Sequence, residues 1–146
     1  MRAMGLDVGT KTVGVAISDE LGFTAQPVMT LHRTNIKADL ATLKALVQEH
    51  AITHVVVGLP RNMDGTEGPR AAATRRFAHS LEDVGTPAAD FWDERLSTVA
   101  VQRVLIEADL SREKRKGVID KVAAVYILQG WLDAHRAPSE NEDSGF

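Results

Sequence analysis

The apolar positions at the start of the chain predict two short strands. Residues 3–8 form an apolar run, and residues 12–18 alternate between β-branched residues on one side and small residues on the other. Such alternation is typical of a half-buried strand with a tightly packed second face. Because the link at residues 9–11 is short, the two strands should form a hairpin.

Three more strands are indicated further along. A third strand covers part of 24–31, where Pro27 either places the strand at an edge of the sheet or shortens it. Residues 54–59 are apolar without a break and are closed by Pro60, a pattern that suits a strand buried on both faces. A last short strand is predicted at 88–92.

Helical spacing of apolar residues predicts four helices. They run from a cap at Thr34 or Asn35 to about His50, through 73–84, from Ser97 to Glu107, and from about Val118 to His135. Ser, Thr and Asn side chains at such starts can accept hydrogen bonds from the first free amides.

This order of elements predicts an α/β fold. A meander of three strands leads into two strand–helix–strand crossovers, which must be right-handed. The simplest result is a five-stranded mixed sheet of order 3-2-1-4-5, in which strands 1, 4 and 5 are parallel and helices flank the sheet. The 146 residues fit one domain, which we place at residues 1–137, and we expect the polar, acidic tail at 138–146 to be disordered.

Composition limits the class of protein. Hydrophobic residues make up 44% of the chain, which is enough for a core. No apolar run spans a bilayer and no signal peptide is visible, so we expect no membrane association. The absence of cysteine excludes disulfides and thiolate metal sites and fits a cytoplasmic protein. The net charge of −3 argues mildly against a general polyanion binder, although local basic patches remain allowed.

Three acidic residues lie where burying an acid is costly. Asp7 ends the first strand, Glu94 follows the fifth, and Asp120 shares a helix stripe with apolar residues. Ligands of open α/β sheets bind beyond the carboxyl ends of the parallel strands. Asp7 and Glu94 should therefore share one rim, and Asp120 joins them if the last helix packs across that end.

Each acid also has an ordinary structural explanation. Asp7 can hydrogen-bond the following turn, Glu94 can pair with Arg95 or cap a helix, and Asp120 suits the first turn of a helix. Strand alternation directs only one of Asp93 and Glu94 inward, and we choose Glu94.

Three clustered carboxylates predict a site for Mg²⁺ or Mn²⁺, since these hard cations prefer oxygen ligands. Such ions activate water and stabilise the leaving oxygen when a phosphodiester is cleaved. The predicted substrate is therefore a nucleic acid. The five histidines are scattered without metal-ligand spacing, and we interpret them as surface or structural residues.

Basic and polar residues near the same rim are candidates for nucleic-acid contacts. They are Lys11, Arg61, Asn62, Arg95, Arg112, Lys114, Arg115 and Lys116. The basic stretch 112–116 could equally be a solvated loop. Arg70, Arg75 and Arg76 could line the same groove, although solvation at the surface is the simpler explanation for them.

Four motifs in order carry a resemblance to a known family. They are Asp7-Val-Gly-Thr-Lys-Thr-Val-Gly-Val-Ala16, Gly58-Leu-Pro-Arg-Asn-Met-Asp-Gly65, Asp93-Glu-Arg-Leu-Ser-Thr98 and Asp120-Lys-Val-Ala-Ala124 followed by Ile127-Leu-Gln. Together they resemble the YqgF family of pre-16S rRNA nucleases, also described as Holliday-junction-resolvase-like proteins. The resemblance extends from Arg2 to about His135.

The resemblance implies an RNase H-like fold and a cytoplasmic nuclease that matures the 5′ end of 16S rRNA. It also implies a metal-binding acidic triad, which falls on Asp7, Glu94 and Asp120. Precursor rRNA and branched DNA are both associated with the family, so ribosomal precursors are possible partners. The chain could act as a monomer or as a homodimer.

Three other functions compete with an RNA nuclease. A DNA endonuclease that resolves Holliday junctions would use the same site and would be expected to act as a symmetric dimer. A non-catalytic ribosome-assembly factor that binds nucleic acid would gain nothing from carboxylates facing phosphates. A sugar-kinase or actin-like ATPase shares the Asp-x-Gly-Thr opening but needs two related domains, for which this chain has no room.

Overall fold

The computed structural model describes residues 1–96 and 112–135, and within 112–120 it describes the backbone alone. The strands are β1 (Ala3–Val8), β2 (Thr12–Ser18), β3 (Ala25–His32), β4 (His54–Leu59) and β5 (Ala89–Asp93). The α-helices in the described ranges are α1 (Ile36–Glu49), α2 (Pro69–Asp83) and α3 (Arg112–His135), and a 3₁₀ turn covers Glu94–Leu96. The predicted helix at Ser97–Glu107 and the tail at 138–146 lie outside the described residues.

The strands form one mixed sheet of order β3-β2-β1-β4-β5. Antiparallel pairing joins β1 to β2 and β2 to β3, whereas β1, β4 and β5 are parallel. The predicted order and directions are thus confirmed. Of the two effects predicted for Pro27, the edge position of β3 is confirmed, and the strand is not shortened, since it runs over 8 residues. The β2–β3 register shifts between Val15 and Ala16, opposite this proline.

One face of the sheet packs against α1 and α2. The β-branched side of β2 lies here, with Leu6 from β1 and Val57 from β4. Leu43 of α1 and Leu81 of α2 complete this cluster and are almost fully buried. Asn35 caps α1 by accepting a hydrogen bond from the Ala38 amide at 2.9 Å, which selects one of the two predicted caps.

The other face is covered by α3. Ala123, Ala124, Ile127 and Trp131 are all buried, which confirms the stripe that the sequence predicts for this helix. The helix lies very close to the sheet, because a Cβ added to Gly5 would be 2.6 Å from the Leu128 Cβ. Small residues on β1 and β2 make that approach possible.

Two expectations about these elements are wrong in detail. All of β2 is buried, not half of it, because α3 covers the small-residue face that the alternation pattern left open. The last helix begins at Arg112 and not near Val118, so the basic stretch 112–116 is helical. Lys and Arg are good helix formers, and a helix can start among them before its apolar stripe begins.

In the described ranges, every helix is too short or too polar to cross a membrane.

Candidate active site

Asp7 lies at the carboxyl end of β1 in the middle of the sheet. Its Cα partner on β2 is Gly14, and the preceding residue Leu6 pairs with Val57 of β4. Only 7% of Asp7 is exposed. A carboxylate held this far from water carries a large desolvation cost unless polar or cationic groups compensate it.

Glu94 reaches the same region from the end of β5. Asp93, the last residue of that strand, accepts a hydrogen bond from the Arg95 amide at 3.0 Å and so starts the 3₁₀ turn that contains Glu94. The Glu94 Oε1 atom lies 3.0 Å from the position that a Cβ on Gly58 would take. Because glycine has no side chain, Gly58 leaves room for the Glu94 carboxylate above the end of β4.

Both carboxylates line one cleft of about 260 Å³, which we call the Asp7 cleft. Val8, Pro60 and Arg70 also line it. The Arg70 guanidinium donates a hydrogen bond to the Val8 carbonyl at 2.8 Å, and this contact holds a positive charge beside the acids. The cleft thus combines carboxylate oxygens with a guanidinium at the end of the sheet where ligands of such folds bind.

The backbone of α3 determines where Asp120 falls. Gly5 on β1 lies against Ala124 and Leu128, while Gly22, beside the start of β1, lies near Leu132. The helix α3 therefore runs antiparallel to β1. From Leu132 towards the first residue of α3, each turn of the helix lies against a position of β1 that is closer to Asp7. Asp120 lies one turn before Ala124, at the register of Asp7, and its side chain is outside the described residues.

Asp93 has a different environment from its neighbour. Its carboxylate accepts a hydrogen bond from Arg95 Nη2 at 2.7 Å and lies 3.9 Å from Arg61 Nη1. The hydrogen bond from Arg95 is the main reason why the pKa of Asp93 is lowered from its ordinary value. Asp93 thus acts as a structural anion that fixes the turn carrying Glu94.

This ion pair should make stability depend weakly on acid pH. Because the pKa of Asp93 is lower in the folded chain, its contribution is complete above the ordinary aspartate pKa of about 3.9 and is lost as the pH falls through the folded value. In urea titrations, we expect wild-type unfolding free energy to drop slightly more from pH 5 to pH 2.5 than that of Asp93→Asn. The effect is small because solvent screens the pair.

Asp83→Asn is the matched control for this comparison, since Asp83 is exposed at the end of α2. It should follow the wild-type curve. If Asp93→Asn also follows that curve, Asp93 does not exchange its proton at a lowered pKa.

The predicted nucleic-acid contacts fall into separate groups. Lys11 is exposed in the turn between β1 and β2, at the same end of the sheet as Asp7. Asn62 donates a hydrogen bond to the Thr66 hydroxyl at 2.9 Å within the loop after β4. Arg112, Lys114, Arg115 and Lys116 lie in the first turns of α3, with side chains outside the described residues.

Arg61 and Arg95 are more constrained than the sequence suggests. Both contact Asp93, and Arg61 also lies 3.6 Å from Glu67. Neither lines the Asp7 cleft. Their charges are therefore largely balanced within the protein, which leaves them less available to phosphates than unpaired cations.

Arg70 lies closer to the acids than its sequence context predicts. It lines the Asp7 cleft directly, although its position in a basic run favoured a solvated surface residue. The sequence feature that points to this role is the place of Arg70 in the first turn of α2, just after the loop that follows Pro60.

Among the described side chains, no group of three His, Asp or Glu residues could by itself hold a metal ion.

Comparisons with known proteins agree with this architecture. A family model described as "RuvX: Holliday junction resolvase" matches residues 1–134. A relative from Myxococcus xanthus is 62% identical over 138 residues, covering 94% of this chain and 91% of the relative. Relatives from Moorella thermoacetica (62% over 134 residues, covering 91% and 95%) and Heliobacterium modesticaldum (53% over 144 residues, covering 99% and 97%) are similar. All three carry the name "Putative pre-16S rRNA nuclease".

Solved structures establish the fold class. Thermus thermophilus RuvC in complex with a Holliday junction substrate matches with a TM-score of 0.56 at 12% identity, covering 94% of this chain and 98% of that one. A second structure of the same protein gives a TM-score of 0.53 at 11% identity, covering 92% and 95%. The RNase H-like fold implied by the motifs is confirmed.

Proposed function

Because the chain belongs to the RuvX family, which is the YqgF family that its motifs resemble, we propose that it is a divalent-metal-dependent nuclease that hydrolyses phosphodiester bonds in the 5′ extension of precursor 16S rRNA. The observation that carries this proposal is the convergence of Asp7 and Glu94 on one cleft from the ends of two parallel strands. The proposed place of action is the cytoplasm, and the proposed nuclease domain covers residues 1–137.

The register of α3 supports Asp120 as the third carboxylate. Asp120 lies one helical turn from Ala124, whose carbonyl faces Gly5 on β1, the strand that also carries Asp7. Three carboxylates, one from β1, one from the 3₁₀ turn after β5 and one from α3, would then surround one point. Gly5 and Gly58 leave the room that this arrangement needs.

The donor set fits Mg²⁺ or Mn²⁺, because the described side chains that line the cleft offer carboxylate oxygens and neither sulfur nor imidazole. Asp7, Glu94 and Asp120 would hold the metal. When bound, such an ion supplies charge stabilisation at phosphorus and an activated water.

The chain's own residues then orient the substrate. Asp7 is fixed by the central strand, and Glu94 is fixed by the turn that Asp93 starts, so neither carboxylate needs to reorganise during the reaction. Arg70, anchored on the Val8 carbonyl, presents a cation to a phosphate oxygen in the cleft. Preorganised charges of this kind act on the transition state at little cost.

The proposed substrate follows the relatives that share more than half of their residues with this chain and carry the pre-16S rRNA nuclease name. The family description favours a second candidate, a Holliday-junction endonuclease. A resolvase must make two symmetric cuts and is expected to be a dimer, whereas removal of an RNA extension does not require one.

Metal removal tests the proposal. We expect protein treated with EDTA to leave a 5′-extended 16S rRNA fragment intact, and protein supplied with Mg²⁺ or Mn²⁺ to cut it. A four-way DNA junction and the mass in solution are measured in parallel. Cleavage of the junction alone by a dimer would move the assignment to the resolvase, and the absence of any cleavage with either metal would favour a binding factor.

A further inference from the structure

A second concave site adjoins the Asp7 cleft. It has a volume of about 230 Å³, and we call it the arginine pocket after Arg33, Arg70 and Arg76, which line it. Its remaining surface includes the apolar side chains of Ile36 and Phe77. Val8 and Arg70 line both sites, so a ligand that extends out of the Asp7 cleft can enter the pocket directly.

Two of the three guanidinium groups are held in place by the backbone next to Asp7. Arg33 donates to the Gly9 carbonyl at 2.7 Å, and Arg70 donates to the Val8 carbonyl at 2.8 Å. Arg33 also lies over the Phe77 ring, 5.0 Å from its centroid. The positions of the Arg33 and Arg70 guanidinium groups relative to β1, the strand that carries Asp7, are therefore fixed before any ligand binds.

The charge of the pocket is positive. Asp39 is buried and lies 3.7 Å from Arg33 Nε, so it balances one of the three charges. Arg70 and Arg76 form no ion pair with another residue in the described ranges. Other arginines on the same side of the sheet differ, since Arg75 is paired with Glu67 at 2.7 Å.

We propose that the arginine pocket binds a backbone phosphate of the same nucleic-acid strand whose scissile phosphate enters the Asp7 cleft. The inference rests on the proposed nuclease function and adds a second anchoring point to it. Guanidinium groups bind phosphate oxygens in a two-pronged geometry, and the apolar floor suits the adjoining sugar. Contacts of this type set the position of a strand without reading its sequence.

Arg76→Gln isolates the pocket, because Arg76 is exposed and does not line the Asp7 cleft. In EDTA, where no cleavage occurs, we expect this variant to bind a labelled precursor rRNA fragment roughly threefold to tenfold more weakly. The slope of log Kd against log salt should fall by about one, as expected for one lost phosphate contact. With metal, KM should rise while kcat stays within about twofold, since the contact is the same in ground and transition states.

Arg2→Gln provides the matched control. Arg2 lies at the opposite end of the sheet from Asp7, where it pairs with Glu20 at 3.4 Å. The substitution changes the net charge by the same amount and should leave the salt slope at its wild-type value. Arg76→Lys keeps the charge and should restore most of that slope.

The outcomes separate this inference from the proposed function. Equal affinities and slopes for Arg76→Gln and Arg2→Gln would overturn the phosphate pocket even if cleavage is normal. If Arg76→Gln reduces the salt slope but the wild type cleaves nothing, phosphate binding by the arginine pocket is supported and the proposed nuclease function is refuted. A wild type that binds no nucleic acid would refute both.

Discussion

Asp7→Asn should reduce metal-dependent cleavage of the precursor rRNA fragment by at least about a thousandfold. That loss corresponds to about 4 kcal/mol of transition-state stabilisation. Asp7 lies on the central strand at the cleft and is buried, so its carboxylate is the proposed ligand with the least freedom to be replaced by water. The amide keeps the shape and one acceptor oxygen but removes the negative charge that attracts a divalent cation.

The fold should survive this change. Asp7 and Glu94 are like charges on one cleft, and removing one of them relieves repulsion when no metal is present. We expect the melting temperature of Asp7→Asn in EDTA to equal or exceed that of the wild type. Single-turnover cleavage at saturating metal, with circular dichroism melts on the same samples, separates lost chemistry from lost structure.

Asp83→Asn makes the same chemical change at an exposed site on α2 and should cleave at the wild-type rate. Asp120→Asn should resemble Asp7→Asn in both activity and stability, because we propose Asp120 as the third ligand. If the Asp7→Asn preparation cleaves as fast as the wild type, the activity does not arise from this cleft.

The sequence could predict the sheet order because few topologies satisfy its constraints. An uninterrupted apolar run at 55–59 requires a strand that is covered on both faces, and right-handed crossovers then leave one simple order. The meeting of Asp7 and Glu94 follows from the same reasoning, since both acids come at the ends of parallel strands. Local pattern and topology together were sufficient there.

Other features depend on contacts between distant side chains, which a pattern does not contain. Arg61 and Arg95 both form ion pairs with Asp93. Several charged residues lie near one another there, and the folded geometry determines which of them pair. The anchoring of Arg70 on Val8 joins residues 62 positions apart in the chain. Both affect the proposed nucleic-acid surface, which is why that surface was less predictable than the acids.

Gly5→Ala should cause a large loss of stability. The added Cβ would lie 2.6 Å from the Leu128 Cβ and 3.0 Å from the Ala124 carbonyl oxygen. Neither atom can rotate away, because both are attached directly to the backbone of α3. Forcing a packed helix outwards costs about 1–3 kcal/mol and sometimes more, and we expect at least about 3 kcal/mol here.

For a chain of this size, such a loss lowers the melting temperature by roughly 6–12 °C. Gly68→Ala is the matched control, since a Cβ there meets nothing closer than 3.7 Å and the φ angle of −97° is allowed for alanine. That variant should lose less than about 1 kcal/mol. A Gly5→Ala melting temperature within about 2 °C of the wild type would mean that α3 does not sit against β1 as described.

The activity of Gly5→Ala carries further information, because α3 also carries Asp120. A helix displaced by even a fraction of an ångström at Ala124 moves the turn that contains Asp120 relative to Asp7, which remains fixed in the sheet. Cleavage measured at 10 °C, where the variant is still folded, should therefore fall by more than about tenfold, since small misplacements of catalytic groups are costly. Full activity in a folded but destabilised Gly5→Ala would instead show that catalysis does not depend on where α3 lies, and the third carboxylate would have to be sought elsewhere.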